Sequence, residues 1–279
     1  MIRSETLFRG RSVTLRHVVC RHGRGGPGDE EWSDEPGIGF PCAGVFRRHA
    51  RGEEVLADPG TAVFFHRDEP YRISHPVEGG DATTVLGFSR RAVEEAGGFP
   101  AEALPVSSPT FALVQRLRRL ALEGEGRALE IEESALAVLD AAARATSGPA
   151  ALARWSRRAD AVREVLAARL SERVTLDVLA REVAVSPFHL ARGFKDAVGV
   201  PIHRYLNRLR LRVALARLSG TGGDLLSVAL DCGFGSHAHF TDAFRAEFGA
   251  PPSRFRPAPS RRELQEMRKK LEATPLPDR

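Results

Sequence analysis

Two stretches of this chain, 50 residues apart, are versions of one another. Ser186, His189, Phe194, Gly199, Pro201 and Arg204 recur as Ser236, His239, Phe244, Gly249, Pro251 and Arg254, six identities across residues 186–205 and 236–255. Leu190 and Phe240, Lys195 and Arg245, and Tyr205 and Phe255 are conservative matches besides. A repeat of this size is one supersecondary unit used twice. In the first copy, Thr175 is placed to cap a helix bearing Leu176, Leu179, Ala180 and Val183. Ala184 and Val185 form a turn, and Ser186 caps a second helix with Pro187 in its tolerated first position. In the second copy Asp224 caps a helix bearing Leu225, Val228 and Ala229, Gly233 breaks it, and Ser236 starts the next. The small Ala180 and Ala229 suit two helices crossing closely through a short turn. The spacing predicts two helix-turn-helix units. Residues 201–218, free of internal Gly and Pro, form an 18-residue helical spacer between them, about 27 Å long.

The distribution of charge agrees. Net charge over all 279 residues is only +5, but residues 1–151 carry 18 basic against 22 acidic side chains, a net of −4. Residues 152–271 carry 22 against 12, a net of +10. An acidic front and a basic rear are expected of a nucleic-acid-binding half joined to a non-binding half, and equally of a merely solvated basic surface. The excess of Arg over Lys carries no functional meaning.

The first hundred residues read as short extended runs between turns: Val13 to Val19, Gly44 to His49, Glu54 to Ala57, Thr61 to His66, Tyr71 to His75 and Thr83 to Phe88, with a Gly/Pro/acid-rich loop from Arg21 to Pro41. Such spacing predicts an antiparallel sandwich or small barrel. Its apolar Val63, Phe64, Phe65, Ile73 and Leu86 fit a ligand pocket or an ordinary core. Ser89 caps a short helix ending at Gly97-Gly98. Helical spacing follows at Phe111, Val114, Leu117 and Leu120, then at Ile131, Ala135, Val138, Leu139 and Ala142. This hairpin either closes the barrel or forms a dimer contact. Gly148-Pro149 is the linker candidate, and Arg261 to Leu271 reads as an exposed helix of mixed charge.

The rear half resembles the AraC/XylS family of bacterial transcription regulators. The resemblance rests on Leu179-Ala180, Val183, Ser186, His189-Leu190, Arg192, Phe194-Lys195, Gly199, Tyr205-Leu206, Leu209-Arg210-Leu211, Ala214 and Leu218. It continues through Val228-Ala229, Cys232-Gly233-Phe234, Ser236, His239-Phe240, Phe244-Arg245, Phe248-Gly249, Pro251-Pro252 and Phe255-Arg256. The front resembles the cupin-like ligand or dimerisation domain of such regulators, through Gly44 to Phe46, Ala57 to Pro59 and Glu69 to Pro76. The resemblance implies an α+β multidomain chain: an N-terminal β-sandwich or cupin-like barrel with a helical hairpin, then an all-α domain with two helix-turn-helix units. The corresponding boundaries are 1–100, 101–150, 151–258 and 259–279.

It also implies which residues turn toward DNA. On the first reading helix these are Ser186, Pro187, Phe188, Ala191, Arg192 and Lys195, with Leu190 and Phe194 inward. On the second they are Ser236, His237, Ala238, Thr241, Asp242 and Arg245, with Phe240 and Phe244 inward. Arg192 suits a bidentate contact to guanine, or a phosphate contact. Phe188 presses on a thymine methyl or packs in the core. His189 and His239 bond a phosphate or cap their units. Asp242 departs from the family's basic or neutral residue, so the second unit reads a different base or binds weakly.

The implied partners are double-stranded DNA, a small-molecule effector or a second copy at the front domain, and RNA polymerase if the chain activates. The alternative is a cupin-type metal enzyme with an accessory DNA-binding domain, whose ligands would come from His17, Cys20, His22, Cys42, His49, His66 and His75. The Cys20-Arg21-His22 spacing matches no strong metal signature, so no catalytic residue, metal ligand or cofactor is assigned. The three scattered cysteines, the lack of a signal core after Met1 and the lack of an apolar run of bilayer length predict a soluble cytoplasmic protein with reduced thiols.

Overall fold

A computed structural model of the protein describes residues 2–124, 126–145, 157–221 and 224–256. The Gly148-Pro149 linker and the helix expected from Arg261 to Leu271 lie outside the described residues. Among the described residues, nine strands build the front: β1 (Ile2–Arg9), β2 (Val13–Cys20), β3 (Gly37–Gly44), β4 (Phe46–Ala50), β5 (Glu53–Ala57), β6 (Thr61–Phe65), β7 (Arg72–Ser74), β8 (Asp81–Phe88) and β9 (Ala103–Pro105). They form a curled six-stranded antiparallel sheet, ordered β1-β2-β8-β3-β6-β9, and a three-stranded sheet, β5-β4-β7.

Strand alternation assigns the two faces of the large sheet. Along β6, Val63 and Phe65 join Phe46, Val55, Ala57 and Ile73 between the sheets, whereas Ala62 and Phe64 join Leu15, Leu86 and Phe88 beneath the helices. The apolar residues read as one lining are therefore divided between two cores: Phe64 and Leu86 lie on one face, Val63, Phe65 and Ile73 on the other.

The sequence reading missed three strands. β1 is an edge strand with mostly exposed side chains, so it carries no apolar alternation. β9 has only three residues. The loop expected as far as Pro41 is instead ordered from Gly37 as β3, in the middle of the large sheet, because Phe65 packs where a side chain at Gly39 would stand and Pro41 falls at a bulge against β8.

Helices α1 (Arg90–Ala96), α2 (Ser108–Glu123) and α3 (Ala128–Ala143) cover the large sheet, burying Phe111, Val114, Leu117, Leu120, Ile131, Ala135, Val138 and Leu139. The hairpin thus packs within the monomer. The rear contains α4 (Arg157–Ala168), α5 (Leu176–Glu182), α6 (Pro187–Val198), α7 (Ile202–Thr221), α8 (Leu225–Asp231), α9 (His237–Phe248) and a 3-10 turn, Pro252–Phe255. Helix α7 belongs to two cores. Tyr205 and Leu209 pack with α4, α5 and α6, whereas Leu211, Ala214, Leu215 and Leu218 join the core that runs through α2 to the sheet and also holds α8 and α9.

A buried polar junction fixes α4 and α7 to the front sheets. Asp58, in the Asp58-Pro59-Gly60 turn, and Arg163 of α4 are both fully buried. Arg163 Nε donates to Asp58 Oδ2 at 3.0 Å and to the Tyr205 hydroxyl oxygen at 2.8 Å, and the Tyr205 hydroxyl donates to the same carboxylate oxygen. Gly60 N–H donates to Asp58 Oδ1 at 2.7 Å, and Arg163 also donates to Thr61 Oγ1 and to Asp160. Beside this, Arg212 of α7 donates to the Pro59 and Val106 carbonyls at 3.0 and 2.8 Å, and Arg47 pairs with Glu164. Burial alone would push the Asp58 carboxyl up; Arg163, Tyr205 and the Gly60 N–H together hold it below the usual carboxylate range.

Removing one partner of such a pair strands a buried charge. Asp58→Ala is expected to destabilise the chain by about 3–5 kcal/mol in urea unfolding. Since folding lowers the Asp58 pKa, this contribution is fully present above the unfolded carboxylate value of about 4 and is lost as pH falls through the folded value. Acid titration of the stability of wild type against Asp58→Asn checks the sign: the wild type loses the larger amount.

Candidate nucleic-acid interface

Both helix pairs have the caps their sequences specify. Thr175 Oγ1 accepts from Val178 N–H, Ser186 Oγ from His189 N–H, Asp224 Oδ2 from Ser227 N–H and Ser236 Oγ from His239 N–H. Each satisfies a backbone donor that a helix start leaves open. His189 Nδ1 also lies 2.7 Å from Ser186 Oγ, so this histidine reinforces the cap. At the far ends Gly199 and Gly249 close α6 and α9, their N–H groups donating to the carbonyls of Lys195 and Arg245.

The two turns close in the same way. Val185 N–H reaches back to the Ala180 carbonyl and Phe234 N–H to that of Ala229, with Ala184 and Gly233 left-handed between them at φ +52° and +81°. The second turn is longer by Gly235, which changes the offset from 49 residues at the first helices to 50 at the second. A Cβ at Gly233 would stand 2.9 Å from the Arg210 guanidinium. Arg210 is engaged there, donating to the carbonyls of Leu170 and Glu172 in the turn after α4.

Inward faces are filled as the periodicity requires. Leu190 and Phe194 of α6 pack on Leu179, Ala180, Val162 and Tyr205, and Phe240 and Phe244 of α9 pack on Val228, Ala229, Cys232 and Phe234. Burial pushes the Cys232 thiol up to about 11, which leaves it a packing residue. The outward faces carry most of the residues expected there. Ser186, Phe188, Ala191, Arg192 and Lys195 are exposed and Pro187 is half-buried. Phe188 is 70% exposed, which excludes core packing for it. Arg192 has an ion-pair partner in Asp196, at 3.9 Å, too exposed to hold it in place.

On α9, His237, Ala238, Asp242 and Arg245 are exposed. Thr241 is different: expected to turn outward, it is half-buried, and its hydroxyl is shielded with no hydrogen-bond partner among the described residues. The second unit also leans on the front domain. Ser108 of α2 donates to Glu247 of α9, and Arg119 donates to the Arg254 carbonyl at 3.3 Å.

The sequence reading did not find Arg163 or its junction. A signal was present, since Arg163 follows Ala159 and Val162 and precedes Leu166 on one helical stripe. A cation on an apolar stripe marks a buried ion pair, but nothing local names Asp58 as its partner. In the front domain, His17 is held neutral, pushed down to about 4 by burial and by Arg118. His49 bonds Ser74 at 2.7 Å, and Cys42 lies against Thr84 and Gln115.

The rear of the chain is similar in sequence to known proteins. The family description "Helix-turn-helix domain" matches residues 179–258. The chain is 35% identical over 86 residues to the probable transcription factor PqrA of Proteus vulgaris, covering 31% of this chain and 70% of that protein. It is 33% identical over 87 residues to the HTH-type transcriptional activator AarP of Providencia stuartii, covering 31% of this chain and 64% of that one. Among solved structures, an AraC-type regulator from Chromobacterium violaceum is 30% identical over 36% of this chain and 88% of that chain, with a TM-score of 0.34. Fold and paired helices define a DNA-binding transcription regulator. The chain belongs to the AraC/XylS family. No helix among the described residues is long and apolar enough to cross a membrane.

The turns supply a test. Ala184→Gly, which relieves a left-handed alanine, is expected to raise stability by about 1 kcal/mol, and Gly233→Ala to lower it by about 1–2 kcal/mol. Thermal unfolding of the two variants should move in opposite directions.

Proposed function

We propose that this regulator reads DNA by placing α6 and α9 in adjacent segments of the major groove, with α7 as the rigid spacer. The observation that carries the reading is the matched pair of capped helices, each with an exposed face and each anchored on one continuous α7 of 20 residues, about 30 Å long. Successive major-groove faces lie about 34 Å apart, so one chain can engage both.

On α6, Arg192 is the base reader, its guanidinium bidentate to guanine O6 and N7; Phe188 meets a thymine methyl, and Lys195 holds phosphate. Pro187 and Ala191 let the backbone come close, and Ser186 fixes the start of the helix. On α9, Ser236 does the same for His237 and Ala238, Arg245 holds phosphate, and Asp242 repels it. Thr241 contributes packing more than contact. The second unit therefore binds more weakly and serves to position the first.

DNA is assigned to residues 151–258, a small-molecule effector or a second copy to the front domain, and RNA polymerase to the bound chain where it activates. The Asp58–Arg163–Tyr205 junction supports coupling between the front domain and the α6 unit, because α4 and α7 both carry its residues and both pack on α6. The metal-enzyme alternative draws no support from relatives that are transcription regulators.

Selection of bound sequences from random DNA tests the assignment. Arg192→Ala is expected to cost about 1–3 kcal/mol of specific binding and to relax one base position, and an unchanged preference would remove Arg192 from base reading. Asp242→Asn should tighten binding across all sequences with little change of preference. Wild-type affinity should fall steeply with salt.

A further inference from the structure

We propose that Cys20, His22 and His75 form a binding site in the front domain for a borderline-soft divalent cation of the zinc class. The site stands apart from the DNA-reading face and does not depend on the function proposed for it. Of the seven histidines and cysteines in the front half, these three converge: one ligand atom from each lies within 4.8 Å of the other two. Cys20 Sγ and His22 Nδ1 are 2.9 Å apart. A tetrahedral zinc ion with bonds of about 2.0–2.3 Å separates its ligand atoms by roughly 3.3–3.6 Å, a spacing these side chains reach by small rotations.

The surroundings match what such ligands need. His75 Nε2 lies 2.9 Å from Asp81 Oδ1, and Thr83 Oγ1 donates to Asp81 Oδ2 at 2.9 Å. A carboxylate that accepts from one ring nitrogen leaves the lone pair on the other, and the Thr83 hydroxyl in turn orients the carboxylate. Glu31 lies within electrostatic range of His22, His75 and Asp81, so two carboxylates share this corner, and a dication that displaces the Cys20 thiol proton offsets them. One thiolate and two imidazoles select zinc-class ions over magnesium or calcium, which take oxygen ligands. Cys20 and His75 are buried while His22 is exposed, which gives the ion a path from solvent.

The fold brings these ligands together from separate elements. Cys20 ends β2 and pairs with Asp81, the first residue of β8. Gly80 permits the approach, since a Cβ there would stand 1.9 Å from the Cys20 carbonyl oxygen. His75 follows β7 in the smaller sheet and is bridged to Gly25 of the long loop after β2. A bound ion would tie both sheets and that loop at one point. The Cys-x-His spacing gives only two ligands, and the third comes from another sheet, so no linear motif announces the site.

Cobalt(II) alone, titrated into the reduced, chelator-treated full-length chain, tests the proposal, because a thiolate ligand gives a sulfur-to-cobalt charge-transfer band and tetrahedral coordination gives intense visible bands. We expect both at one equivalent, displacement by zinc(II), and a higher Tm with zinc bound. Cys20→Ser should abolish the charge-transfer band and Cys42→Ser should retain it. His22→Gln, at an exposed position, should weaken binding at least tenfold. Absence of the band in the wild-type chain, its survival in Cys20→Ser, or unchanged affinity in His22→Gln would overturn the site.

Discussion

The rest of the structure depends on the buried contact of Asp58 with Arg163 and Tyr205, because it brings together three parts of the chain that have no local reason to meet. Asp58 belongs to a β-turn, Arg163 to α4 and Tyr205 to α7. Taking a carboxylate and a guanidinium out of water costs several kcal/mol each, and that cost is offset only when their remaining hydrogen-bonding atoms are also engaged. Gly60, Thr61, Asp160 and the Leu56 carbonyl supply that engagement. A displaced geometry would leave unpaired charge in an apolar setting. The junction therefore specifies how the front sheets meet the first helix-turn-helix unit more sharply than apolar packing could.

Helix α7 distributes that constraint. Tyr205 and Leu209 close the core of the first unit, and the following turns close the second against α2. The two units are alike in sequence yet differently supported: the first is clamped by ions, the second packed into the core of the front domain. Asp242 and the half-buried Thr241 lie on the second unit, whose outward face is the less basic of the two.

Local features were legible. Caps at Ser89, Thr175, Ser186, Asp224 and Ser236, glycines closing α6 and α9, and the apolar stripes of α2 and α3 all follow from residues within a few positions of one another. So did the inward Leu190, Phe194, Phe240 and Phe244 and the outward Arg192. Less was legible in the front. β1 is exposed over Ile2 to Thr6, with only Leu7 and Phe8 half-buried, and β3 is built on Gly37, Gly39 and Pro41, which read as loop unless the ring of Phe65 is known to fill the space over Gly39.

By itself the sequence determined that a helix-turn-helix is built twice on a helical spacer, because helix starts, stops and buried stripes are coded by neighbours on the same helix. Only the tertiary structure decided that Arg163 meets Asp58, that the α2–α3 hairpin packs inside its own chain, and that Cys20, His22 and His75 share a corner. The physical reason is that an amphipathic pattern states that a face must be buried without stating against what. A charged or metal-ligating side chain likewise states that it needs a partner, and the path of the chain through space supplies the one it gets.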